Sequence, residues 1–139
     1  MTNLLSITAQ GCGDQWPQID SQVESFGRAN EWPPDLDFTI RLMLEELVLN
    51  AVSYGSEDKS VTIHLELKSE ADMVRIEMSD DGHAFNPFED APSPDLDSGV
   101  EQRRVGGLGV HLVKTMADEI SYRRLDDMNR IMITKRRDS

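Results

Sequence analysis

Hydrophobic and polar positions alternate most plainly between residues 61 and 78. Val61, Ile63, Leu65 and Leu67 alternate with Thr62, His64, Glu66 and Lys68, a period of two that predicts a half-buried strand. After the polar turn Ser69–Asp72, Val74, Ile76 and Met78 point inward from a second strand. Leu4–Thr8 gives a short strand pattern ended by Gly11 and Gly13, and Glu119–Leu125 and Arg130–Arg136 predict two more strands around the turn Asp126-Asp-Met-Asn129. Helical spacing appears at 18–31 (Ile19, Val23, Phe26) and after Gly106-Gly-Leu-Gly109, where Leu108, Leu112 and Met116 share a face. The longest apolar helix covers Leu36–Tyr54, with Asp35 as N-cap candidate after the breaker Trp32-Pro-Pro, and Gly55 where a left-handed C-cap belongs. The order β, α, α, β, β, loop, α, β, β predicts helices layered on one face of a mixed sheet.

On the long helix, Ile40, Met43, Leu44, Leu47, Ala51 and Tyr54 form one stripe at about 100° per residue. Leu42 and Leu49 lie nearly opposite, so the helix is expected to pack on two sides. Glu46 and Asn50 are i,i+4 neighbours on a flank of the stripe. A carboxylate beside an amide on a mostly buried helix needs a reason.

Length and composition narrow the classes. At 139 residues the chain, 1–139, makes one domain with room for a real core. Aromatic residues are only 6%, so aliphatic side chains and seven Met must fill it. A net charge of −12 argues against direct nucleic-acid binding and against an anionic membrane surface. The apolar run 42–52 is broken by Glu45, Glu46 and Asn50, so no membrane span is expected. One cysteine, Cys12, allows no internal disulfide, and with no secretory signal at the N-terminus the expected compartment is the cytoplasm.

Three clusters carry candidate chemistry. Asn50 could offer its amide oxygen to Mg²⁺, and Glu46 could take a proton from a hydroxyl or water attacking a phosphate; the plain alternative is a snorkelling acid and a satisfied amide. Asp80-x-Gly82 at a strand end puts a carboxylate where it can accept from an exocyclic amine such as adenine's, with Gly82 permitting close backbone approach; the alternative is an ordinary turn. Phe85 and Phe88 could wall an apolar pocket or be core. Gly106-Gly-Leu-Gly109 before a helix lets backbone N–H groups face an anion, with Arg103 and Arg104 just upstream; otherwise it is a hinge. It fits neither a Rossmann fingerprint nor a Walker A loop.

In this order and at these separations, the clusters resemble the GHKL ATPase superfamily. Within it, the chain looks like the small single-domain anti-sigma-factor serine/threonine kinases of the RsbW and SpoIIAB type. The likeness covers about residues 20–135: Glu46-Leu-Val-Leu-Asn50-Ala matches the N box, Asp80-Asp-Gly82-His-Ala-Phe85-Asn-Pro87 the first glycine box, and Gly107-Leu-Gly109 the second. The resemblance implies a Bergerat fold: an α+β two-layer sandwich, with a mixed, mostly antiparallel sheet and three helices on one face. It implies ATP and Mg²⁺ as cofactors, Glu46 as general base and Asn50 as Mg²⁺ ligand. Asp80, with Gly82 and Phe85, would hold the adenine; Gly107, Leu108, Gly109 and Arg104 would serve the phosphates under a lid at 89–106. Tyr54 stands where this subfamily often has His, Asn86 where it often has Asp, and Ile131 where a Thr would assist the adenine carboxylate.

The function so implied is ATP-dependent phosphorylation of a STAS-type antagonist by a kinase that also binds a sigma factor or other effector. Homodimerisation is a further family expectation, as is a partner surface that would include Arg28. The alternatives are an ATP-binding sequestering module and the catalytic domain of a histidine kinase. None of His64, His83 and His111 sits on a convincing helix ahead of the N box, which weighs against the latter.

Overall fold

A computed structural model describes residues 3–11, 15–55, 61–90 and 105–137. The elements are β1 (Leu4–Gly11), α1 (Trp16–Ala29), α2 (Pro34–Gly55), β2 (Val61–Ser69), β3 (Met73–Asp80), the short α3 (Pro87–Asp90), α4 (Val105–Met116), β4 (Glu119–Leu125) and β5 (Met128–Arg136). The strands form one sheet in the order β1-β2-β3-β5-β4, antiparallel at every pairing. The α+β architecture is the expected one, with the mostly antiparallel sheet antiparallel throughout its described pairs. The β2–β3 and β4–β5 pairs are hairpins, and strands joined by short turns must run oppositely; β1–β2 and β3–β5 pair antiparallel across helical connections.

One face of the sheet is buried under the helices and the other is open. Along β2, Val61, Ile63, Leu65 and Leu67 are buried while His64, Glu66 and Lys68 are exposed. Burial of each such aliphatic side chain contributes roughly 1.5–3 kcal/mol. The stripe read on α2 meets this face: Ile40, Met43, Leu44 and Leu47 are fully buried. Helix α2 packs between α1 and α4, over β2, while Leu42 and Leu49, expected to form its second packing side, are half-buried.

Three boundaries differ from the sequence expectation. Helix α1 begins at Trp16, with Pro17 in its first turn, and closes in a left-handed Glu31 (φ 59°). Trp32 N–H donates to Gly27 O (2.9 Å) and Glu31 N–H to Arg28 O (3.1 Å), a Schellman closure. Helix α2 starts at Pro34, so Asp35 lies in the first turn with Asp37 and is not the N-cap. A proline suits the first helical position because its missing N–H would be unpaired there anyway, and both aspartates favour the positive end of the helix dipole. The β4–β5 turn is tighter than expected: Asp126 (φ 54°) and Asp127 (φ 60°) alone make it, with Leu125 paired to Met128. Two successive positive φ values are the mark of a type I′ hairpin turn. Met128 and Asn129 therefore belong to β5.

Helix α1 is pinned to α2 by Arg41, whose guanidinium donates to both Asp20 carboxylate oxygens (2.7 Å each), to Asp37 (3.0 Å) and to Glu24 (3.2 Å). Bidentate pairing of this kind fixes direction as well as distance. At the other end of α2, α4 lies alongside, and its most buried residues are Gly109, Val110 and Val113. Leu112 and Met116, expected on the inner face with Leu108, are half-buried. The inner face of α4 is turned toward the glycine because that is where α2 comes closest.

Candidate nucleotide site

Two groups of polar side chains meet at the C-terminal half of α2. At one end stand Glu46 and Asn50. The Asn50 amide is buried, and its Nδ2 donates to the Glu46 carbonyl one turn back (2.8 Å). That bond turns the amide oxygen away from the helix, and Asn50 Oδ1 is buried with no hydrogen-bond partner among the described residues. Glu46 Oε2 is likewise buried and unpartnered. Desolvation, with a smaller push from neighbouring Glu45, raises the Glu46 carboxyl above its ordinary range.

Gly109 of α4 faces Glu46. A Cβ added at Gly109 would lie 2.8 Å from Glu46 Cγ and would overlap the Glu46 carboxylate itself. Any side chain here requires the Glu46 side chain to move aside. Gly106, Gly107 and Leu108 fall within the first turn of α4, which starts at Val105. Arg103 and Arg104, and residues 91–104 of the expected lid, lie outside the described residues.

The second group lines a narrow cavity. Helix α2 contributes Leu47, Asn50 and Ala51; β3 contributes Met78 and Asp80; β5 contributes Asn129 and Ile131; and Phe85 and Pro87 close it from the turn after β3. Phe85 stacks on Tyr54 with centroids 4.6 Å apart and an interplanar angle of 15°. The space is about 10 Å³, room for about one water.

Asp80 is buried at the end of β3, and its Oδ1 accepts from Gly82 N–H (2.9 Å) and Asn129 Nδ2 (2.9 Å). Burial pushes its carboxyl upward; the bonds from Asn129 and Gly82 oppose this, Asp81 adds to it and Arg124 subtracts. Asn86 caps α3, accepting from Phe88 N–H through its side chain (3.0 Å) and from Glu89 N–H through its carbonyl (3.1 Å).

The structure thus brings Glu46, Asn50 and Gly109 together at one end and Asn50, Asp80 and Phe85 around one cavity, with Asn50 common to both. Gly82 serves through its backbone. Sequence reasoning missed Asn129, which was read as a turn residue. Its signal was the inward alternation of Ile131 and Ile133, which extends back by one step to Asn129. Ile131 itself is buried and brings no polar atom to Asp80.

The donor set can be tested against Mg²⁺. A hard cation prefers oxygen and is commonly held by one or two protein oxygens, with phosphates and water completing its shell. Asn50 Oδ1, buried and unpartnered, suits that role. Among the described residues no cluster of three or more His, Cys, Asp or Glu could cage a metal by itself. Among them also, no helix is long and apolar enough to cross a membrane.

Comparison with known proteins bears on the fold and the family. A solved histidine kinase domain, from the blue-light activated histidine kinase of Erythrobacter litoralis EL346, superposes with a TM-score of 0.55 at 19% identity. The superposition covers 91% of this chain and 61% of that one, and speaks for the fold alone. In sequence, the chain is 29% identical over 133 residues to the serine/threonine-protein kinase BtrW of Bordetella bronchiseptica, covering 94% of this chain and 89% of BtrW. It is 29% identical over 104 residues to the serine-protein kinase RsbW of Staphylococcus aureus, covering 69% of this chain and 63% of RsbW. The sequence profile of the histidine kinase-like ATPase domain matches residues 13–135, and the chain belongs to that family.

Proposed function

We propose that this protein is an ATP- and Mg²⁺-dependent protein serine/threonine kinase and anti-sigma-type regulator. In this reading it phosphorylates a STAS-type antagonist and holds a sigma factor or other effector in competition with it. The observation that carries the reading is the pair of buried, unpartnered oxygens, Glu46 Oε2 and Asn50 Oδ1, set against the glycine turn of α4. Buried polar atoms without partners cost stability; of the three such side-chain atoms among the described residues, the third being Arg130 Nε, these two are i,i+4 neighbours on α2, which favours a ligand as the reason they are kept. The kinase names of BtrW and RsbW support the same class.

The roles follow from the chemistry of each group. Asp80 accepts a hydrogen bond from adenine's exocyclic amine, while Phe85 and Ile131 flank the base. The first turn of α4, with its N–H groups and positive dipole end, faces the phosphates, and Arg104 just ahead of it adds a cation. Mg²⁺, when bound through Asn50 Oδ1, neutralises phosphate charge. Glu46 takes the proton from an acceptor Ser or Thr hydroxyl as its oxygen bonds to the γ-phosphorus and the bond to the ADP leaving group breaks. Its raised pKa makes it a better proton acceptor than an exposed glutamate, provided it is ionised at the working pH.

Two measurements test this. Titration with ATP, with and without Mg²⁺, should show binding that Mg²⁺ strengthens and that Asn50→Ala uncouples from Mg²⁺. Incubation with ATP labelled at the γ-phosphate and candidate STAS-type antagonists should label the antagonist. Absence of ATP binding overturns the whole reading. Binding without labelling of any such antagonist overturns the kinase assignment and leaves an ATP-dependent sequestering protein.

A further inference from the structure

Asn129 lines the same cavity as Asp80, yet it has nothing left to offer a ligand. An amide has two N–H donors and an oxygen with two lone pairs. In Asn129 all four are used: Nδ2 donates to Asp80 Oδ1 (2.9 Å) and to His83 O (2.7 Å), while Oδ1 accepts from the Tyr122 hydroxyl (2.5 Å) and from Phe85 N–H (3.2 Å). The residue is buried, 3% exposed, directly opposite Asp80 in the β3–β5 register.

Two of the four partners are backbone groups, which fixes the direction of the amide. Reversing it would set the oxygen against the His83 carbonyl and an N–H against the Phe85 N–H. The side chain is therefore a clamp with one orientation. It ties the β3 carboxylate, the turn 82–85 and, through Tyr122, the edge strand β4. Arg124 Nη1 adds a second tie from β4 by donating to Gly82 O (2.8 Å).

We propose that Asn129 is the positioning residue of the purine site, acting through Asp80: it commits Asp80 Oδ1 to the protein and holds Oδ2 and the Phe85 turn where adenine's amine and ring face must meet them. This rests on the ATP reading above and extends it to base selectivity. Adenine presents a donor to Asp80. Guanine presents a carbonyl oxygen at the same ring position, and two acceptors face to face repel. Discrimination of this kind depends on a buried polar group that cannot turn away, and a carboxylate held by two donors on one oxygen cannot.

The clamp also bears on pH. Ionised Asp80 is the acceptor, and its charged form is favoured by the bonds from Asn129 and Gly82 against the pull of burial. The charged groups bearing on it are Asp81, which follows it, and Arg124 on β4; α2 presents the neutral Asn50 and β5 the neutral Asn129. Removing the Asn129 donor weakens the ionised form, so the pH below which binding fails must move up.

Binding of ATP and of GTP to the full chain, measured across a pH series for the native protein and Asn129→Ala, tests the proposal. The expected result is ATP affinity lower by about ten- to a hundredfold at neutral pH, the range for a hydrogen bond to a charged group. The preference for ATP over GTP should narrow, and the acid limb of the ATP profile should shift to higher pH. Tyr122→Phe, which removes one bond to the same amide, should move all three in the same direction by less, and it decides the matter if the alanine variant does not fold. A uniform loss for both nucleotides with an unmoved pH profile means that Asn129 is merely structural and overturns the proposal, as does unchanged affinity. Failure of the native protein to bind ATP is a different result and removes the reading beneath it.

Discussion

The two ends of the site are built on opposite plans. Around Asp80, polar atoms are buried and paired: Oδ1 accepts twice, and the Asn129 amide uses all four of its valences. Around Glu46, polar atoms are buried and bare: Glu46 Oε2 and Asn50 Oδ1 have no partner. A satisfied network is rigid, because any displacement breaks several bonds at once. An unsatisfied one is costly, and it gains whenever a ligand supplies the missing partners. The first plan suits recognition of a fixed shape, such as a base. The second suits groups that must bind a cation or exchange a proton.

The comparison breaks hardest at the bare end. Glu46→Ala should slow phosphate transfer to the acceptor protein by roughly 10²–10⁴-fold, with ATP affinity little changed, read by label transfer and by titration. Transfer at the native rate would falsify the role of Glu46. At the paired end, Asp80→Asn keeps an oxygen that can accept from Gly82 and Asn129, so the fold should stand. Its ATP affinity should nevertheless fall by about ten- to a hundredfold, or roughly 1.4–2.8 kcal/mol. Equal affinity for ATP in that variant would remove Asp80 from the base site.

The contact between the helices offers a third break. Gly109→Ala drives a methyl group into the Glu46 carboxylate, and overpacking of this kind costs about 1–3 kcal/mol. A thermal melt should show a lowered midpoint; an unchanged one would mean that the Glu46 side chain swings clear of the added methyl group. A pH–rate profile sharpens the picture further. Because burial raises the Glu46 carboxyl, transfer should rise with pH through that raised pKa and flatten above it, while an ordinary carboxylate would already be flat there.

The smallest effect concerns stability. A carboxyl raised on folding favours the folded state fully below its unfolded pKa, and that contribution is lost as pH rises through the folded pKa. At neutral pH the ionised Glu46 is therefore a liability. Glu46→Gln should leave the fold as stable as the native protein, or more stable by up to about 1 kcal/mol, while slowing transfer as much as Glu46→Ala does. A marked loss of stability would mean that Glu46 holds the fold together and is not kept for chemistry.

Much of this was already legible in the sequence. The period-two runs gave β2 and β3 with their inward faces, the stripe on α2 gave the core, and Glu46, Asn50, Asp80 and Gly109, in that order, carried the family resemblance that implies one nucleotide. These are local properties, set by backbone periodicity and side-chain chemistry. The sequence could not say that α4 lies so close to α2 that a methyl group at Gly109 would displace the Glu46 carboxylate, since that depends on helices separated by about fifty residues. Nor could it say that Asn129 stands opposite Asp80. Asn, Asp and Met after a strand read equally well as a four-residue turn; only the left-handed pair Asp126-Asp127 shortens it and moves Asn129 into the register of β3. Chain chemistry named the ligand groups, and tertiary packing decided which of them were left bare and which were clamped.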